Sequence, residues 1–166
     1  IIILFLFINA CSDSSSSGGA TCNSCQSGAL ETHFDTFDGD GTCSTEELNE
    51  LNCTNSVSIN STTCDVLYFV DTTFGGFQFK ISGTGMSGIT TGEDTELFGT
   101  DFSLSMNEST YDENAYIFVG FSTSAQTISA GCGILFSIDA ANCSNFEFEE
   151  VIFSDPNGDE FEVCPN

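Results

Sequence analysis

From Asp65 onward the chain alternates apolar and polar residues with a period of two, as Phe77-Gln78-Phe79-Lys80-Ile81-Ser82 shows without a break. Successive side chains of an extended strand point to opposite faces, so this stretch turns Phe77, Phe79 and Ile81 inward and Gln78, Lys80 and Ser82 outward. The segment Asp101–Met106 repeats the pattern with Phe102, Leu104 and Met106 inward, and Cys132–Ile138 with Ile134, Phe136 and Ile138. Two further runs, Val66–Val70 and Tyr116–Phe121, are apolar on both faces and read as central strands.

Near the C-terminus, Phe146 and Phe148 alternate, but Val151 and Phe153 continue one residue out of phase. A bulge at Glu149-Glu150 restores the register. The run Val151–Asp155, then Pro156-Asn157-Gly158, then Asp159–Val163 is a hairpin signature, with Asn157-Gly158 expected to supply the positive-φ turn residues. Strands at Val57–Ile59 and Thr95–Phe98 bring the expected number to about nine. No crossover helices lie between them. The expected fold class is therefore all-β, a two-layer antiparallel sandwich, preceded by a small Cys-rich segment with a short helix.

Ahead of the strands the composition changes. Ile1–Ile8 is an unbroken apolar run, far short of the ~20 residues that span a bilayer. It matches the apolar core of a secretory signal ending at Ala10, with a few residues missing in front. The expected organisation is a signal remnant at 1–10, a Ser/Gly linker at 11–21, a Cys-rich segment at 22–64 and the sandwich at 65–166. Nine cysteines in an exported chain imply disulfides. Cys22, Cys25, Cys43, Cys53, Cys64, Cys132, Cys143 and Cys164 suffice for four bridges, of unknown pairing. Cys11 is left over. Its setting, Ile8-Asn9-Ala10-Cys11, resembles a bacterial lipobox, which implies lipid attachment at Cys11 and a cell-surface location; cleavage after Ala10, with Cys11 free or intermolecular, is the alternative. Cys22-x-x-Cys25 has no second CxxC to complete a zinc site.

The formal charge is −24, from 25 acids against Lys80 alone. Phosphate recognition needs Lys and Arg, so nucleic acid is excluded as a partner, and so is an anionic membrane surface except through a lipid anchor. Such self-repulsion calls for salt or divalent cations as screen. Seventeen Phe and three Tyr separate the chain from disordered acidic tails.

One acidic stretch carries recognisable chemistry. Asp38-Gly-Asp40-Gly-Thr42-Cys-Ser44-Thr-Glu-Glu47 resembles the EF-hand calcium loop, with Thr36, Asp38, Asp40, Thr42, Ser44 and Glu47 at positions one, three, five, seven, nine and twelve. A hard cation needs six or more oxygens, which a tight loop converges and a distal Glu closes. Ser44-x-x-Glu47 is also a capping box for a helix over Thr45–Leu51. Thr36 replaces the usual Asp and Cys43 an aliphatic residue, so the same residues also suit an ion-free capped turn. A lone loop of this kind implies calcium affinity on the order of 10⁻⁴–10⁻³ M. Catalysis has little to build on: one His, His33, and no nucleophile or metalloprotease motif.

The order of four segments resembles cohesin-like domains: Gly75-Gly76-Phe77-Gln78-Phe79, Gly120-Phe121-Ser122, Ile128-Ser-Ala-Gly-Cys132-Gly-Ile-Leu135, and Val151-Ile-Phe-Ser-Asp-Pro-Asn-Gly158. The resemblance covers roughly residues 65–164. It implies a nine-stranded jelly-roll sandwich and a non-catalytic, extracellular role in protein–protein attachment, with a dockerin-like partner. Cys132, Cys143 and Cys164 lie outside the family pattern. Two other readings fit the same composition: a carbohydrate-binding module, for which the absence of Trp is a disadvantage, and a structural, calcium-dependent surface or matrix protein.

Overall fold

The alternating segments of the sequence become strands. In the computed structural model the described residues are 55–165, which hold ten strands and no helix. In chain order these are β1 (Ser56–Ile59), β2 (Asp65–Val70), β3 (Gly76–Ser82), β4 (Gly88–Thr90), β5 (Phe102–Glu108), β6 (Ala115–Ser122), β7 (Gly131–Asp139), β8 (Glu147–Ser154), β9 (Glu160–Phe161) and β10 (Cys164–Pro165). They form two five-stranded sheets, ordered β10-β1-β2-β7-β4 and β5-β6-β3-β8-β9. All pairings are antiparallel except β1 with β10, which is parallel. The fold is an all-β sandwich. The first sheet takes in β1, ahead of the composition change at Asp65.

Phenylalanine fills the space between the sheets. Phe136 on β7 meets Phe77 and Phe79 of β3 and Phe118 of β6, with ring centroids 6.0, 6.3 and 5.5 Å apart. Phe74, just before β3, stands edge-on to Phe153 of β8 at 4.9 Å. Phe74, Phe79, Phe118, Phe136 and Phe153 are fully buried. Offset and edge-to-face rings add to the burial of such large side chains, so truncating one to Ala costs about 3–5 kcal/mol. Gly120 is part of this packing: a Cβ there would lie 2.2 Å from Cζ of Phe77.

Phe77, Phe79 and Ile81 face the core as their spacing requires. Phe102, Leu104 and Met106 also turn inward but are half-buried, because β5 is an edge strand. The β8 bulge is present. Lys80 pairs with Glu150 and Ile81 with Phe148, leaving Glu149 as the extra residue. A second bulge was not foreseen. Val66 pairs with Phe136 and Leu67 with Ile134, so Leu135 is extra on β7. It breaks the expected alternation: Leu135, Phe136 and Ile138 belong to the core and Ile134 does not.

Two further expectations need correction. Thr95–Phe98 is not a strand; it is a turn that touches β7 by a single bridge, Thr95 to Ile134. The alternation there is too short to outweigh the flanking turn chemistry, with Thr95 N–H and Oγ1 both donating to the Gly92 carbonyl. In the β8–β9 turn only Gly158 has positive φ, at 91°, and Asn157 does not. Gly158 N–H donates to the Asp155 carbonyl, and Asp155 N–H to that of Asp159, which is a three-residue hairpin loop with glycine in the left-handed position.

Cys64 and Cys143 form a disulfide with Cα atoms 5.5 Å apart, and Cys132 and Cys164 are disulfide-bonded as well. Cys11, Cys22, Cys25, Cys43, Cys53, His33, the Thr36–Glu47 loop, the helix over Thr45–Leu51, the signal remnant and the linker lie outside the described residues.

Candidate protein-binding face

The outer face of the β5-β6-β3-β8 layer can be read row by row from its register. One row runs Ser103, Phe121, Gly76, Ser154; the next Ser105, Val119, Gln78, Ile152; the third Asn107, Ile117, Lys80, Glu150. Residues of a row share a face because side chains alternate along every strand. Ile117, Val119 and Phe121 thus form a stripe along β6, with Ile152 one strand further from Val119 than Gln78. None of the four belongs to the core. Ile117, Val119 and Ile152 are half-buried, and Phe121 is 47% exposed.

Small and flat neighbours leave this stripe accessible. Ser103, Ser105 and Asn107 flank it on β5, and Gly76 lies beside Phe121, where a Cβ would sit 3.8 Å from the Phe121 Cβ. One end is charged. The Lys80 ammonium is held by Asp112, from the β5–β6 connection, and by Glu149, at 2.6 Å, from the β8 bulge. These hydrogen bonds, with Asp112 first and Glu149 second, raise the Lys80 pKa above its ordinary value. Gln78 Nε2 donates to Glu150 Oε2 at 3.5 Å. The bulge therefore has a local role: it brings Glu149 to Lys80 while Glu150 stays in the outer row. The single basic side chain of the protein is neutralised within the face, and the remaining charge around it is negative.

Three other titratable groups are displaced. Burial raises the Glu96 carboxyl, and burial followed by the Glu96 charge raises the Tyr68 phenol. Glu96 crowds Gly133, where a Cβ would be 2.7 Å from its Oε1. Asp155 is lowered, by the Asn157 side chain first and then by backbone N–H groups of the β8–β9 turn. Its carboxylate accepts from Asn157 Nδ2 at 3.0 Å and from the N–H groups of Asn157 and Asp159 at 2.8 and 2.9 Å. That is turn-building, not catalytic geometry. Among the described residues no group of three or more His, Cys, Asp or Glu side chains is placed to hold a metal ion.

Of the residues singled out from the sequence, the structure describes Cys64, Cys132, Cys143 and Cys164; the calcium-loop residues and Cys11 lie outside the described residues. The sequence reads the Ile117–Val119–Phe121 stripe as one side of a central strand that is apolar on both faces. Its openness depends on the other layer, which a period-two pattern does not specify.

Comparison with solved structures finds cohesins at low similarity. A type II cohesin A11 from Bacteroides cellulosolvens has 14% identity and a TM-score of 0.43, over 67% of this chain and 95% of that one. A non-cellulosomal cohesin from the archaeon Archaeoglobus fulgidus has 12% identity and a TM-score of 0.43, over 68% and 83%. A chain of the Coh-OlpC–Doc435 type I cohesin–dockerin complex from Clostridium thermocellum has 10% identity and a TM-score of 0.39, over 68% and 88%. No family model and no curated protein sequence matches the chain. The sandwich itself rests on the pairing and packing described above.

Proposed function

We propose that this protein is a non-catalytic, cohesin-like binding module that acts outside the cell or on its surface and attaches to a protein partner of dockerin type. The observation that carries this reading is the outer-face stripe of Ile117, Val119 and Phe121 with Ile152, apolar at its centre and acidic at its margin. Protein interfaces have this anatomy, with a desolvated apolar centre and a polar rim. The rim favours a partner with Lys or Arg around its own apolar patch, and predicts association that slows as salt is raised. The sequence motifs shared with cohesins point the same way.

Carbohydrate binding is the alternative, and the placement of exposed aromatics disfavours it. Of the exposed rings among the described residues, Phe98 lies in the turn ahead of β5, while Tyr111 stands in the connection ahead of β6 and Phe121 near the far end of β6. From Ala115 to Phe121 alone the strand covers about 20 Å, so Tyr111 and Phe121 do not form one platform for a sugar chain. Export, lipid attachment at Cys11 and a calcium ion held by Thr36, Asp38, Asp40, Thr42, Ser44 and Glu47 complete the proposal. They rest on the sequence motifs. The test is a parallel screen of the intact chain against dockerin modules and against a polysaccharide array. Binding to a protein module is expected, and binding to glycans alone contradicts the reading.

A further inference from the structure

The outer faces of the two sheets differ, and the sandwich alone does not explain the difference. Val66, Tyr68 and Val70 of β2 belong to the core, so Leu67 and Phe69 between them point away from it. They are nevertheless only 1% and 4% exposed, and Cys132, opposite Phe69 on β7, is 4% exposed. None of the three belongs to the core cluster. Ser56 and Ser58, opposite Phe69 and Leu67 on β1, are buried on the same face, with hydroxyls that have no hydrogen-bond partner among the described residues. Phe121, on the corresponding outer face of the second sheet, is 47% exposed. A further layer must exclude water from the first sheet.

The cysteines say what that layer is. Cys164, Ser56, Phe69 and Cys132 form a single row across β10, β1, β2 and β7. Three strand spacings put Cys164 and Cys132 about 14 Å apart, whereas disulfide-linked Cα atoms are usually about 4.4–6.8 Å apart. Both are disulfide-bonded, and Cys64 and Cys143 are bonded to each other. Residues 55–165 contain no other cysteine. Within this chain the partners of Cys132 and Cys164 must come from ahead of Asn55, where Cys22, Cys25, Cys43 and Cys53 are concentrated. That stretch leads directly into β1, a strand of the covered sheet, and carries Leu30, Phe34, Phe37, Leu48 and Leu51 as apolar material.

We propose that the Cys-rich segment 22–53 lies across the outer face of β1, β2 and β7 as a third layer, disulfide-bonded to Cys132 on one side and Cys164 on the other. The arrangement is independent of whether the opposite face binds a partner. It uses two of the four cysteines of the segment, leaves two for a bridge of their own, and leaves Cys11 as the odd cysteine.

The test is disulfide mapping of the intact chain, purified without reductant and with free thiols alkylated. Trypsin has only Lys80 to cut, so proteases specific for Asp and Glu are used before mass spectrometry. Cys132 and Cys164 are each expected in a cross-linked peptide containing a cysteine of 22–53. A Cys132–Cys164 bond, an alkylated thiol at either position, a bond to Cys11, or a bond to a second, isotope-labelled copy overturns the proposal. Hydroxyl-radical footprinting of the same preparation tests coverage separately. Phe69 is expected to be modified about tenfold less than Phe121, in line with 4% against 47% exposure. Equal modification of the two rings overturns it.

Discussion

Glu96 is where a single carboxyl couples stability to pH most directly. Burial holds it above its ordinary 4.5, so the folded state binds this proton more tightly than the unfolded chain does. Its ionisation therefore opposes folding, and its effect on stability worsens as pH rises through the folded-state pKa. Gln mimics the protonated form. Glu96→Gln is expected to raise the thermal midpoint by a few degrees at pH 8 and to leave it unchanged at pH 3, where the carboxyl is protonated in both states. Calorimetry across that range checks it. Glu96 was not singled out from the sequence, since its burial arises from a turn lying against Gly133 and Tyr68, far apart in the chain. Phe77, Phe79 and Ile81 were legible because one buried face suffices to place them. Phe121 was not, because an apolar residue on a strand does not reveal whether its face meets another layer or water.

Among the elements, the long strands and the β8 bulge were readable, the bulge because a phase slip between Phe148 and Val151 has no other remedy in a paired strand. The β7 bulge was hidden. Ile134, Leu135 and Phe136 are all apolar, so an inserted residue leaves no mark on the pattern. β4 and β10, of three and two residues, are too short to show periodicity at all. Pairing of cysteines was likewise beyond the sequence. The Cys64–Cys143 bond ties the start of β2 to the connection between β7 and β8, across 79 residues. By loop entropy its loss costs roughly 3–5 kcal/mol. The double variant Cys64→Ser/Cys143→Ser should show that loss in urea unfolding without reductant. A loss below about 1 kcal/mol would mean that the remaining bridges already impose the same constraint.

At the scale of the whole molecule, 25 acids against one base set the conditions under which the fold persists. Lys80 is already engaged by Asp112 and Glu149, so little counter-charge is left on the described surface. Raising salt from about 0.01 M to 0.15 M shortens the screening length from about 30 Å to about 8 Å. The thermal midpoint is expected to rise over that interval, and a flat response would show that the charges are too dispersed to matter. The sandwich offers two outer surfaces with different fates, one covered and cross-linked, the other bearing the open Ile117–Val119–Phe121 stripe. The proposed binding role belongs to the open one. The most direct test takes a protein module recovered in the proposed dockerin screen and measures its affinity for the intact chain and for Val119→Asp, by titration calorimetry, with the thermal midpoint measured alongside. A charge at the centre of the stripe is expected to weaken binding about thirtyfold or more, a cost of about 2 kcal/mol, while the fold stays intact. Unchanged affinity in a folded Val119→Asp protein would contradict the assignment of this face.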